Sequence, residues 1–79
     1  MTEPYEDVTR RVAALIGVPE LAPGEDDALL WLAKAVADAS GDRRSAPLTC
    51  YLAGLALGGE ADGAARVARI NELAARLAD

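Results

Sequence analysis

The sequence predicts an all-α fold: a compact four-helix bundle in a single domain over residues 1–79, with a buried third helix at about Ala46–Leu57. Three observations predict it. Apolar residues recur every three to four positions in the segments on both sides of that helix, the mark of helices lying on a core. Glycine and proline cluster between the segments and almost nowhere within them. The run from Ser45 to Gly59 contains no charged residue, the longest such run in the chain. A helix without a charged face is expected in an interior. It is too short to cross a bilayer, which takes roughly 20 apolar residues.

The first helix is expected from about Pro4 to Ile16, with Pro4 in the first turn and Glu3, Glu6 and Asp7 at the positive end of its dipole. Tyr5, Val8, Val12, Leu15 and Ile16 form a stripe expected to face the core. Glu6–Arg10 and Asp7–Arg11 are spaced as i,i+4 pairs on the outer side. Two prolines and two glycines between Gly17 and Gly24 make that stretch a loop. A second helix follows over about Glu25–Ala39. Leu29, Leu32 and Val36 lie on its core side, and Gly41 ends it. Asp42-Arg43-Arg44 connects it to the central helix, whose start carries Ser45 as cap and Pro47 in the first turn. Leu48, Tyr51, Leu52 and Leu55 share one side of that helix. Thr49, Cys50, Ala53 and Gly54 occupy much of the other, with Leu57. Gly58 and Gly59 turn the chain into a fourth helix starting near Glu60 to Gly63, with Asp62 or Glu60 supplying negative charge there. Val67, Ile70, Leu73 and Leu77 form its inner stripe, Glu72–Arg76 is an outer pair, and Arg66 lies at the stripe's edge with its head expected to reach water or Asp62.

Composition excludes several function classes. A net charge of −5 disfavours a phosphate-backbone binder. The acidity is local: residues 1–40 hold eight acids against three bases, and residues 41–79 hold five of each. There is no histidine, so the commonest general base and the commonest transition-metal ligand are missing. A single cysteine gives no intramolecular disulfide and no cysteine metal framework. The acidic start lacks the apolar core of a signal peptide, so a cytoplasmic location is expected, without membrane insertion.

The residues that could carry chemistry are few. Ser45 and Thr49 have no histidine to activate them; a cap and a bond to a backbone carbonyl account for their hydroxyls. Cys50, among small residues, reads as filler rather than as a reactive thiol. Gly54 is expected to admit the backbone of a neighbouring helix, at a cost of about 1 kcal/mol against alanine. The Glu25-Asp26-Asp27 triplet fits the positive end of a helix dipole, with a cation site as the alternative. Trp31 falls on the polar side near Asp27, Lys34 and Asp38. Its ring either covers the Lys34 stem or anchors another chain. Arg43 and Arg44 are solvated loop charge or a grip for a phosphate or carboxylate. No catalytic constellation, cofactor site or metal site emerges, so the chain is not expected to be an enzyme.

Around the central helix the run Arg44-Ser45-Ala46-Pro47-Leu48-Thr49-Cys50-Tyr51-Leu52-Ala53-Gly54-Leu55-Ala56-Leu57-Gly58 resembles the core motif of a small, uncharacterised, actinobacterial-type helical domain family. Its motif residues here are Ser45, Pro47, Thr49, Tyr51, Gly54 and Gly58. Asp27-Ala28-Leu29-Leu30-Trp31-Leu32-Ala33 resembles the family's acidic-then-leucine segment. Asp38 stands where members often carry histidine, and Tyr5 where many carry tryptophan in the first helix. The family occurs free-standing or fused to nucleotidyltransferases similar to the molybdenum-cofactor guanylyltransferase. The resemblance implies a non-catalytic accessory domain linked to molybdenum-cofactor maturation. Such a domain would dock a nucleotidyltransferase or a molybdoenzyme assembly factor through Trp31, Arg43, Arg44 and the rim of the third helix. The alternative is a small structural homodimer with no ligand.

Overall fold

A computed structural model describes residues 2–78; Met1 and Asp79, the two ends of the expected 1–79 domain, lie outside the described residues. Four helices follow in order: α1 (Tyr5–Ile16), α2 (Glu25–Ser40), α3 (Ser45–Leu57) and α4 (Gly63–Ala78). The fold is all-α, and the helix boundaries fall close to those expected. Gly17 and Gly41 end α1 and α2 in the left-handed region, at φ 75° and 71°, each returning its N–H to a carbonyl of the last turn. A side chain there would be strained, which is why glycine stands at both stops. Asp62 caps α4: its carboxylate accepts the Ala64 N–H at 3.0 Å, and its carbonyl accepts the Arg66 N–H at 3.1 Å.

α2 is the helix around which the others assemble. It packs on α4 along one flank and on α3 along another. Leu32, at its centre, is fully buried. Around Leu32 lie Ala28, Val36, Ala53, Leu57, Ile70 and Ala74, with Leu29, Ala46, Val67 and Leu77 half-buried at the margin. The alanines bring the α2 and α4 backbones close together, so the core is thin. Its described part holds only four apolar side chains larger than alanine: Leu32, Val36, Leu57 and Ile70. The molecule is correspondingly flat, 34 × 34 × 18 Å.

Two expectations are corrected here. The third helix is not buried. Its small residues face inward through Ala46, Ala53 and Leu57, while Leu48, Tyr51, Leu52 and Leu55 are 62 to 68% exposed. Both sides of α3 are apolar, so composition cannot choose which turns inward. Fit decides, because the slender side lets α3 close down on α2 and the leucines would hold it off. The stripe of α1 does not lie on the core either. Tyr5, Val12, Leu15 and Ile16 are exposed, Val8 is half-buried, and Ala13 is the residue buried. The core cluster is built by α2, α3 and α4 and includes no residue of α1. α1 is tethered instead by polar links: the Tyr5 hydroxyl donates to Asp26 at 3.1 Å, and Arg10 approaches Glu20 at 4.0 Å. Its arginines also pair differently from the i,i+4 expectation, Arg10 with Asp7 and Arg11 with Glu3 at 2.9 Å.

Close backbone approach occurs at a different glycine from the one expected. Nothing lies within 4 Å of a Cβ built at Gly54, whereas one at Gly63 would overlap the Ala22 Cβ. Gly63→Ala should therefore lower stability by about 1–3 kcal/mol despite its better helix propensity. Gly54→Ala, measured in dilute solution, should raise it by up to about 1 kcal/mol. Paired thermal melts check both signs.

Candidate functional site

The surface feature with the largest chemical consequence is the outer side of α3. Leu48, Tyr51, Leu52 and Leu55 stand along it as a ridge. Ser45 does not cap this helix as expected. Arg44 precedes the first helical residue and makes no side-chain cap bond. The Ser45 hydroxyl instead reaches the carbonyl oxygens of Asp42 at 2.7 Å and Val36 at 3.2 Å, fastening the start of α3 to the end of α2. Asp42 braces the connection just before α3, its carboxylate accepting the Arg44 N–H at 2.9 Å. A helix fastened at its start and seated through small residues turns its leucines outward.

Two grooves border α3 through its inner residues, with Ala53 and Leu57 lining both. The larger, of about 560 Å³, separates α3 from the connections at either end of the α2–α4 layer; Leu21, Cys50, Gly54 and Leu57 line it. The smaller, of about 260 Å³, separates α3 from α4 and is lined by Ala53, Ala56, Arg69 and Leu73. Burial pushes the Cys50 thiol up, so it stays protonated at neutral pH and adds apolar surface rather than a nucleophile.

One wall of the larger groove is an ion pair that sequence reasoning missed. Glu25, the first residue of α2, is buried. Its carboxylate accepts the Arg66 Nε–H at 2.7 Å, an Arg66 Nη2–H at 3.2 Å and the Ala22 N–H at 2.8 Å. Arg66 also donates from Nη1 to the Glu60 carbonyl at 2.8 Å. The Arg66 hydrogen bonds hold the Glu25 carboxyl below the usual carboxylate range. Glu25 and Arg66 stand 41 positions apart, and no periodicity links such a pair. The one available signal was Arg66 at the edge of an apolar stripe, a place where a charge needs a partner.

The acidic triplet at the start of α2 is thereby divided. Glu25 serves the ion pair, and Asp26 accepts the Tyr5 hydroxyl and so raises its pKa. Among the described residues no group of three or more His, Cys, Asp or Glu could hold a metal ion.

The residues proposed from sequence for partner binding are not gathered in one place. Trp31 is 42% exposed and borders a hollow with Lys34, Asp38 and Leu77. The Lys34 ammonium is held by Asp38 at 2.8 Å. Arg43 and Arg44 lie in the α2–α3 connection and do not line that hollow. Arg44 is engaged by Asp42 at 2.7 Å, which keeps the Asp42 carboxyl below the usual range. Of the Thr49, Tyr51, Gly54 and Gly58 motif positions, Tyr51 belongs to the ridge, and Gly54 and Gly58 to the larger groove.

No described helix is long and apolar enough to cross a membrane. Residues 2–79 match a family model described as a domain of unknown function, DUF6457. No curated protein and no solved structure matches the chain.

Proposed function

The chain belongs to the DUF6457 family, and from that premise we propose that it is a non-catalytic protein-interaction domain. Its docking face is the ridge of α3 with the two grooves that border the helix. The observation that carries this reading is the exposure of Leu48, Tyr51, Leu52 and Leu55 along a helix with no charge between Arg44 and Glu60. Contiguous exposed apolar patches that exceed the ordinary run of a monomer's surface mark interaction sites in soluble proteins. Its chemistry suits burial against another protein and supplies no acid, base or nucleophile for a reaction.

The setting we assign to the module is molybdenum-cofactor nucleotidyl transfer. The support is the resemblance of the Ala46–Gly58 motif to domains fused to guanylyltransferase-like enzymes. The test is co-elution of the purified chain with a nucleotidyltransferase of that type on size exclusion, followed by calorimetric titration. Complex formation weakened at least about tenfold by Leu55→Asp is the expected result. A lack of binding by the unaltered chain would remove the cofactor setting. Trp31→Ala in the same titration separates the two surfaces: a loss there, with Leu55→Asp silent, would move the docking face from α3 to the Trp31 edge.

A further inference from the structure

We infer that the occupant of the α3 face is a second copy of this chain, packed about a twofold axis with α3 against α3. This rests on the docking face proposed above: a second copy covers α3 in the free chain, and a nucleotidyltransferase binding there would have to displace it.

Area is the first argument. The chain exposes 5732 Å². A folded monomer of 8.2 kDa exposes about 4,500 Å² on average, so the excess is about 1,200 Å². A standard interface takes about 800 Å² from each partner, and obligate homodimers take more. The surplus, summed over the whole chain, is of the size that one side of a stable homodimer contributes, and Leu48, Tyr51, Leu52 and Leu55 are the part of it on α3. The core tells the same story. Four apolar side chains larger than alanine are buried among the described residues, against thirteen large hydrophobic ones exposed. A chain this short gains a second core by pairing.

Charge is the second argument. A twofold interface sets each residue near its own copy, so a charge close to the axis meets a like charge. The net charge of −5 would oppose self-association if any of it lay there. None lies between Ser45 and Gly59 on the ridge itself, and the groove beside α4 carries both signs, Arg69 and Arg76 with Glu72. A charged partner would find nothing on α3 to steer it, whereas an identical neutral face is its best complement.

Shape is the third. α3 carries the ridge on its outer side and borders two grooves through Ala53, Leu57 and their neighbours, so one chain supplies both halves of ridge-into-groove packing. Leu48, Leu52 and Leu55 of one copy can enter the groove beside α3 of the other, and the reverse contact follows by symmetry.

Light scattering after size exclusion should return twice the 8.2 kDa chain mass at micromolar concentration. The melting temperature should climb with chain concentration, as mass action requires of a dimer. Leu52→Glu places two carboxylates in the symmetric interface and should raise the dissociation constant at least about 100-fold. Leu52 faces solvent in the single chain, so helix content by circular dichroism should survive the change. Should Leu52→Glu fail to fold, the concentration dependence of the unaltered chain still decides the matter. A monomeric mass with a melting temperature indifferent to concentration overturns the second-copy proposal. In that event, binding of the nucleotidyltransferase that Leu52→Glu abolishes leaves the docking face standing. Binding untouched by Leu52→Glu, or none at all, removes the docking face as well.

Discussion

Glu25→Ala should destabilise the protein by about 3 kcal/mol at neutral pH, and the loss should shrink in acid. The substitution strips three hydrogen bonds from one buried carboxylate and leaves both the Arg66 guanidinium and the Ala22 N–H without their acceptor. Breaking a buried pair by deleting one member typically costs about 3–5 kcal/mol, because the survivor stays buried and uncompensated. The lower end applies here, since the Arg66 side chain keeps 18% of its surface in water and retains the Glu60 carbonyl. For a chain of this size the melting temperature should fall by about 12–24 °C. The pH dependence follows from the sign of the shift. The carboxyl of Glu25 ionises more readily folded than unfolded, so its stabilisation is fully present above the ordinary glutamate value of about 4.3. It fades as pH falls through the lower folded value. Urea titrations of both proteins at one chain concentration, at pH 7 and again in the acid range, measure the gap. A gap that holds constant into acid would mean the ion pair does not supply it. Glu25→Gln should fall between the two, keeping an acceptor for Ala22 but not the charge.

The parts of this fold legible in sequence are those set by local chemistry. Gly17 and Gly41 mark helix ends because left-handed backbone favours glycine there, and the acidic Glu60 and Asp62 announce α4 because negative charge suits the positive end of its dipole. The inner side of α2 was readable too: Leu32 and Val36 are apolar against a polar opposite face, and both are buried. α3 was not readable in the same way. Absence of charge shows that a helix avoids water, but it does not say whether its own chain or another supplies the cover. With leucines on one side and alanine, glycine and cysteine on the other, either side could turn inward. The choice rested on how closely α3 could approach α2, a tertiary fact. The stripe of α1 misled for the same reason, since periodicity finds an apolar face and not its neighbour. Glu25–Arg66 escaped because pairing across 41 positions leaves no local trace. The proposed docking residues divided accordingly: Trp31 was correctly placed near Lys34 and Asp38, but sequence gave no sign that Arg43 and Arg44 lie outside that hollow.

Leu32→Ala should cost about 3–5 kcal/mol, whereas Leu52→Ala, compared in solution dilute enough for single chains, should cost well under 1 kcal/mol. Leu32 is fully enclosed by Ala28, Val36, Ala53, Leu57, Ile70 and Ala74. Deleting its isobutyl group forfeits the transfer energy and opens a cavity. The walls cannot relax into that cavity, because half of those six neighbours are alanines with no side chain to swing inward. The cost should accordingly sit in the upper part of the usual range for leucine-to-alanine changes, enough to leave a chain of this length largely unfolded. Leu52 is 62% exposed, so truncating it in the single chain removes little buried area. The same truncation should become costly only as concentration rises and the α3 face is covered. Thermal melts of both variants across a dilution series read out the two behaviours together. A Leu32 deficit independent of concentration, beside a Leu52 deficit that grows with it, assigns one leucine to the interior of the chain and the other to its partner. Equal deficits at every concentration would place Leu52 in the core and return α3 to the buried position that its composition suggested.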